Sequence, residues 1–199
     1  MADPVRPLEK RHADAVAALH RLGIATGFLS SLGERFLRQM YAALPSAPAG
    51  FGCVWEEADG RVLGFVACAE TTGRLYKQAL LRRGVLMAGA LLPRCFRPSV
   101  LRCLWETLRY PSDVGQNLPA AEVLSIAVTE EARGRGIGGV LVAAAFDEFR
   151  RRGISRVKVA VWAGNEPANR FYRRCGFRLA LTREHHGLPM NLYVRERGD

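Results

Sequence analysis

The sequence lacks the features that mark membrane, secreted and metal-binding proteins. Its longest apolar runs, such as residues 84–92, are too short to span a bilayer, and its first residues carry no basic patch followed by an apolar stretch. The five cysteines are odd in number, and no two stand in a C-x-x-C spacing that would suggest a zinc or redox site. We therefore expect a cytoplasmic protein with reduced cysteines and no metal.

Acidic residues are also scarce: 19 Asp and Glu stand against 29 Lys and Arg, which leaves a formal net charge of +10. Such an excess is typical of proteins that bind nucleic acid, a membrane surface, an acidic protein or a polyanionic small molecule. The charge alone does not choose among these. The length of 199 residues, of which 49% are hydrophobic, indicates one packed domain over residues 1–199.

The order of elements expected from hydrophobic periodicity is that of an α/β protein. The first half is predicted to contain a strand, two amphipathic helices and a β-hairpin, at residues 5–8, 12–22, 32–44, 51–57 and 61–70. The second half is predicted to contain a strand, a helix, a strand, a short helix and two strands, at residues 122–128, 138–152, 156–162, 167–174, 177–182 and 190–195. His12 and His20, on the first helix, are expected to be solvated.

Residues 74–110 interrupt this order. Apolar residues and arginines alternate there at helical spacing, and Pro93 and Pro98 divide the stretch, so we expect an inserted pair of helices. Eight basic residues stand against one acid, Glu106, which places +7 of the net charge in this segment. Its apolar and basic faces would suit a membrane surface or an acidic protein.

A glycine-rich turn connects strand 122–128 to the next helix. Residues 133–139 contain four glycines and two arginines. Without Cβ atoms the backbone N–H groups can approach an anion closely, and the helix N-terminus adds partial positive charge. The turn is therefore predicted to bind a pyrophosphate, and the simpler alternative is a connection without a ligand. Its G-x-G-x-x-G spacing also fits a dinucleotide-binding unit, but strand 156–162 does not end at the acid that such a unit requires.

Two motifs together carry a resemblance to a known family. Arg133, Gly136 and Gly138 fill the pattern [Q/R]-x-x-G-x-[G/A], and residues 165–177 fit N-x-x-A-x-x-[L/F]-Y-x-x-x-G-F. In this order and on these elements, the motifs resemble the GNAT superfamily of N-acyltransferases over about residues 121–195. The resemblance implies an α/β GNAT fold, in which a mixed, mostly antiparallel sheet is flanked by helices and splayed at its centre. The basic helical insert at 74–110 would precede the strand that binds coenzyme A.

The resemblance further implies that acetyl-CoA, or another acyl-CoA, is the co-substrate. Amides of the turn would hold its pyrophosphate, and arginine side chains of the turn would add positive charge. The backbone of residues 126–128 would pair with the pantetheine arm, and Asn165 would contact the same arm. The implied coenzyme-binding residues are Ile126, Ala127, Val128, Arg133, Gly134, Arg135, Gly136, Ile137, Gly138, Gly139 and Asn165.

Two residues are implied in catalysis, which would be a direct attack of a bound amine on the thioester. Tyr172 would protonate the departing thiolate, because a phenol with a pKa of about 10 is protonated at neutral pH; alternatively it is a packed core residue. Glu122 would accept the proton of the ammonium, directly or through a water; alternatively it is a solvated glutamate at a strand end. Ser125, predicted on the same face of the strand, could orient that water.

The sequence leaves the acceptor and the partners open. The acceptor is expected to be a small-molecule or protein amine, and the charge of the insert favours an anionic amine or an amino sugar. Two other functions compete: a non-catalytic acyl-CoA sensor, and a nucleic-acid-binding module that uses the insert and the arginines at 150–152 and 173–174. The second leaves the motif at 165–177 unexplained, so nucleic acid is disfavoured as a partner. A homodimer is also compatible with the sequence.

Overall fold

The computed structural model describes residues 3–24, 28–91, 118–185 and 187–196. The strands in these residues are β1 (Val5–Pro7), β2 (Gly50–Glu56), β3 (Val62–Ala69), β4 (Glu122–Val128), β5 (Arg156–Trp162), β6 (Arg178–His185) and β7 (Leu188–Glu196). The helices are α1 (Ala13–Gly23), α2 (Phe28–Ser31), α3 (Glu34–Ala43), α4 (Thr72–Leu91), α5 (Ile137–Arg151) and α6 (Glu166–Arg174). The element order expected from periodicity is confirmed for these residues, whereas the short helix α2 and three short 3-10 helices were not predicted.

The strands form one mixed, mostly antiparallel sheet. Their order is β1-β2-β3-β4-β5-β7-β6, and within the described residues β4 and β5 are the one parallel pair. Strand β7 lies between β5 and β6, because the last hairpin folds back onto the sheet. The predicted fold class, a mostly antiparallel sheet flanked by helices, is confirmed.

Helices cover both faces of this sheet. On one face α1, α3 and α4 form what we call the first core, which includes Val16, Leu37, Phe65, Leu75 and Ala127. On the other face α5 and α6 form the second core, which includes Leu141, Phe149, Val159, Tyr172 and Phe177. Each fully buried Val, Leu or Phe side chain of these cores contributes about 1.5–3 kcal/mol of transfer free energy. The two cores cover opposite faces of the sheet at β4 and β5. A gap between these two strands would therefore be reached from both cores.

The insert is helical where the structure describes it. Helix α4 buries Leu75, Ala79 and Met87 in the first core, and its backbone leaves helical geometry at Arg83, where φ is −135°. Residues 92–117 lie outside the described residues. They include both prolines and four of the eight basic residues of the insert, so the predicted second helix stays a prediction.

His12 and His20 are buried, so the expectation that they are solvated was wrong. The two residues keep 3% and 1% of their surface exposed. His12 Nδ1 accepts the backbone N–H of Glu9 at 2.9 Å, and His20 Nδ1 lies 2.5 Å from the hydroxyl of Tyr41. Periodicity could not reveal this, because burial of an imidazole depends on hydrogen-bond partners that other segments supply.

Candidate active site

Strands β4 and β5 are paired at one end and open at the other. Residues 122–123 lie opposite residues 158–159, and beyond them the two strands share no paired positions. Strand β4 nevertheless continues to pair with β3 as far as residue 128. The other edge of β4 therefore carries backbone groups that are available to a ligand over residues 124–128. Residues 126–128, implied by the resemblance to hold a pantetheine arm, lie on this open edge.

The glycine-rich turn follows β4 directly and offers a row of unused donors. Gly134 and Gly136 have φ angles of +77° and +80°, the left-handed region that side chains other than glycine seldom adopt. In the described chain, the amide N–H groups of residues 134–139 donate to no acceptor, and the first bond of α5 runs from Val140 N to Gly136 O. Six consecutive free N–H groups at a helix N-terminus make a cradle for an anion.

The two arginines of the turn are exposed but differ in their surroundings. Arg135 Nη2 lies 3.8 Å from Glu57 Oε1, and the same carboxylate is bound by Arg61 at 2.7 Å. No acid of the described residues lies within 4 Å of Arg133. The charge of Arg133 is therefore fully available beside the cradle, whereas that of Arg135 is partly offset.

Tyr172 lies in the second core with 5% of its surface exposed. Its ring packs edge-on against Phe171 and Phe177, with centroids 5.2 Å and 5.4 Å away. Burial first, and then the nearby Cys68, Cys175 and Glu122, raise the pKa of Tyr172 well above that of a free phenol. The hydroxyl is therefore protonated at neutral pH, as the sequence predicts, and can donate a hydrogen bond. The ring is packed in the core and the hydroxyl can still donate. The two interpretations of Tyr172, as a core residue and as a donor to the thiolate, are therefore compatible.

Glu122 is buried, with 9% of its surface exposed, and is not a solvated strand-end glutamate. Its Oε2 accepts a hydrogen bond from the Thr72 hydroxyl at 2.9 Å, at the first residue of α4. No pattern in the sequence links these two residues, which are 50 positions apart. Because Glu122 acts on the pKa of Tyr172, the two predicted catalytic residues are close enough to interact through space.

Ser125 lies on the same face of the sheet as Glu122, as predicted, but for a reason that the sequence does not contain. Strict alternation would place two residues three positions apart on opposite faces. The pairing of β3 with β4 shifts register by one residue, so that Glu122 lies opposite Ala69 and Ser125 opposite Ala67. Both alanines belong to the first core, and the bulge therefore returns Ser125 to that face.

Asn165 is the N-cap of α6. Its Oδ1 accepts the backbone N–H of Ala168 at 3.2 Å, which leaves its side-chain N–H groups for other contacts. The resemblance assigned it to the coenzyme arm, and the cap places it where β5 passes into α6.

The sequence interpretation missed Asn169, which fixes α6 to the sheet. Its Nδ2 lies 3.0 Å from the carbonyl of Trp162 and 2.7 Å from that of Asn165. Its Oδ1 accepts from Asn191 Nδ2 at 2.9 Å and from the Tyr193 hydroxyl at 2.8 Å. This buried amide sets the position of the helix that carries Tyr172 three residues later. The signal that could have found it is a second asparagine one turn after an N-cap asparagine.

The arginines proposed to contact nucleic acid at 150–152 are already paired. Arg150 binds Asp147 at 2.7 Å, Arg151 binds Glu148, and Arg152 binds both Glu148 and Glu70. In the described part of the chain no group of three or more His, Cys, Asp or Glu could hold a metal ion. None of its helices is both long enough and apolar enough to cross a bilayer.

Residues 21–177 match the family model described as the acetyltransferase (GNAT) family. The matched segment includes the open edge of β4, the cradle and Tyr172. The chain belongs to this family. The resemblance drawn from the two sequence motifs is thereby confirmed.

Two solved structures share the fold of this GNAT chain, and one curated protein matches part of its sequence. The crystal structure of SsHAT is 20% identical, with 98% of each chain covered and a TM-score of 0.74. The structure of yncA from Salmonella typhimurium, solved with its cofactor acetyl-CoA, is 16% identical with a TM-score of 0.61, covering 98% of this chain and 94% of that one. A mycothiol acetyltransferase of Corynebacterium aurimucosum is 38% identical over 66 residues, which are 33% of this chain and 22% of that protein. The chain thus spans only a small part of that relative's length.

Proposed function

We propose that the protein is an acyl-CoA-dependent N-acetyltransferase. The observation that carries this proposal is the continuity of the open β4 edge with the cradle of residues 134–139. A pyrophosphate bound on the cradle places the pantetheine chain along residues 126–128, where it pairs with the backbone as an extra strand would. Arg133 adds charge at the pyrophosphate, and the side-chain N–H groups of Asn165 contact the arm from the β5 side.

The thioester then lies in the gap between the two cores. The amine nitrogen attacks the acyl carbon, a C–N bond forms, and the C–S bond breaks with the electron pair leaving on sulfur. Tyr172 faces this step with a protonated hydroxyl of raised pKa, which donates a hydrogen bond to the sulfur as negative charge develops. A thiol pKa of about 8.5 is lower than that of the phenol, so the hydrogen bond matters more than early proton transfer.

Glu122 is the proposed base of the same reaction. Acylation requires a neutral amine, and the Glu122 carboxylate accepts the ammonium proton directly or through one water. The Thr72 hydroxyl holds one carboxylate oxygen at 2.9 Å and fixes the direction of the other. The carboxylate is on the first-core face and the tyrosine on the second-core face, so base and acid approach the thioester from opposite sides of the gap.

For the acceptor we propose an anionic primary amine, such as an amino acid or an amino sugar that carries phosphate. Three basic residues of α4, Arg74, Lys77 and Arg82, are exposed and have no described acid within 4 Å. Such a field attracts anionic amines and repels polyamines, chiefly through the association rate and KM. The name of the Corynebacterium relative supports a small-molecule acceptor.

The proposal is tested by thiol release from acetyl-CoA with a panel of amines at low and high salt. The panel contains spermidine, L-glutamate, glucosamine 6-phosphate and a nucleotide-linked amino sugar. We expect thiol release to be fastest with an anionic amine, and its KM to rise with salt because screening weakens the field. Binding of acetyl-CoA without thiol release for any amine would instead indicate a sensor. Spermidine as the best substrate, with a KM for anionic amines that salt leaves unchanged, would rule out the proposed acceptor class.

A further inference from the structure

A buried polar chain joins α1, α3 and β4 within the otherwise apolar first core. The hydroxyl of Tyr41 lies 2.5 Å from His20 Nδ1, and the two residues are 3% and 1% exposed. Both rings pack on Phe65, at centroid distances of 5.3 Å for Tyr41 and 6.4 Å for His20. Neither residue has a role in the acetyl transfer proposed above. Burying a histidine and a phenol costs free energy of folding unless each finds a hydrogen-bond partner, and here they are partners of each other.

The direction of this chain is fixed at its far end. Ser30 Oγ donates its proton to the carbonyl of Ile24, and a hydroxyl has only one proton to give. His20 Nε2 lies 3.1 Å from Ser30 Oγ, so it must donate to that oxygen. Burial lowers the pKa of His20 to about 4, and the ring is therefore neutral with its proton on Nε2. Nδ1 is left as an acceptor, and the Tyr41 hydroxyl donates to it.

The near end of the chain is Ser125 on β4. With its proton given to His20, the Tyr41 oxygen can only accept. Ser125 lines the same cavity, and its hydroxyl opposes the effect of burial on the pKa of Tyr41, as a donor to the phenol oxygen would. Tyr41 and Ser125 line a small cavity of about 10 Å³, whose other walls are apolar side chains such as Leu29 and Leu124. That volume holds at most about one water. A Ser125 hydroxyl that donates to Tyr41 keeps the lone pairs of its Oγ free to accept a hydrogen bond.

Ser125 lies beside the gap, two residues past the last paired position of β4, on the face that carries Glu122. We propose that His20 and Tyr41 are positioning residues that hold the Ser125 hydroxyl as a hydrogen-bond acceptor for the amine substrate. This inference rests on the proposed acetyl transfer. One N–H proton of the ammonium passes to the Glu122 carboxylate, and a second N–H donates to Ser125 Oγ without transfer. The two contacts orient the nitrogen lone pair toward the acyl carbon.

The first test measures steady-state kinetics with glucosamine 6-phosphate and acetyl-CoA for Ser125→Ala, Tyr41→Phe and the double variant. Loss of one hydrogen bond should raise the amine KM about 10-fold. The double variant should be no worse than either single one, because both changes remove the same contact. The acetyl-CoA dissociation constant should stay unchanged. Ser46→Ala is the matched control, since Ser46 Oγ donates to the carbonyl of Ala43 just after α3 and takes no part in the chain from Ser30 to Ser125.

The second test reads the chain without any substrate. Nitrogen-15 NMR of the histidine rings in the free protein should show His20 neutral with its proton on Nε2, and Ser30→Ala should shift that signal while Ser46→Ala should not. A proton on Nδ1 would overturn the direction of the chain. An unchanged amine KM in Ser125→Ala, with an active wild-type protein, would overturn the role of Ser125. A wild-type protein that releases no thiol with any amine would instead refute the proposed function, and with it the amine contact.

Discussion

Gly138 and Phe171 are in direct contact: a Cβ added to Gly138 would lie 3.1 Å from the edge of the Phe171 ring. The contact joins the first turn of α5 to α6, and so links the glycine-rich motif to the motif that contains Tyr172. Gly134 and Gly136 have open space around them and are required by their positive φ angles instead. One glycine of the turn therefore allows two helices to approach, and two others allow a left-handed backbone. The spacing of glycines in the sequence does not distinguish these roles.

The contact predicts a difference between neighbouring glycines. Gly138→Val should lower the free energy of unfolding by about 1–3 kcal/mol, because the ring of Phe171 must move or the helices must separate. Gly139→Ala should cost almost nothing in stability, since a Cβ there meets no atom within 4 Å. Urea denaturation of both variants measures the difference. Equal losses would show that the two helices do not pack through Gly138.

Gly136→Glu should abolish binding of acetyl-CoA. The substitution places a side chain at a φ of +80° and a negative charge in the anion cradle. Isothermal titration calorimetry measures the loss directly. Gly153→Glu is the matched control, because Gly153 has a φ of +73° and open space after the other end of α5. Retained affinity in Gly136→Glu would place the pyrophosphate elsewhere.

Tyr172→Phe should lower kcat by about 100- to 1,000-fold, the usual cost of removing one hydrogen-bond donor to a developing negative charge, and leave the acetyl-CoA dissociation constant nearly unchanged. The phenyl ring keeps the packing against Phe171 and Phe177, so the melting temperature should change little. Glu122→Gln, measured in the same assay, should remove the acidic limb of the pH–rate profile. A kcat that is insensitive to the tyrosine hydroxyl would exclude Tyr172 from the mechanism.

Asn169→Ala should lower the free energy of unfolding by about 2–4 kcal/mol, because the carbonyl of Trp162 and the hydroxyl of Tyr193 lose a buried partner. It should also lower kcat, since α6 carries Tyr172. Asn165→Ala removes only the helix cap and should cost about 1 kcal/mol. Denaturation curves of the two variants give the comparison, and a smaller loss for Asn169→Ala than for Asn165→Ala would contradict the anchoring role.

The free energy of unfolding should decrease as the pH is lowered, because of His20. Burial lowers its pKa from 6.5 to about 4, so in this range the unfolded chain binds a proton that the folded chain does not. The associated stability is complete above about pH 6.5 and is lost as the pH falls toward 4, in total about 3 kcal/mol. Urea denaturation of wild type and His20→Gln between pH 7 and 4.5 tests this. The variant should show the shallower pH dependence, and an equal slope would mean that His20 is protonated in the folded protein.

The sequence by itself determined the order of elements, the glycine-rich turn and the family, because each is written in local spacing. Helix and strand periodicity need only neighbouring residues, and the motifs at 133–139 and 165–177 are contiguous. Contacts between distant segments decided the rest. The bulge that turns Ser125 toward Glu122, the anchoring of α6 by Asn169 and the burial of His20 against Tyr41 each depend on partners from another strand or helix. Hydrogen bonds to buried groups are satisfied across such distances, and only the folded chain reveals which partner each group finds.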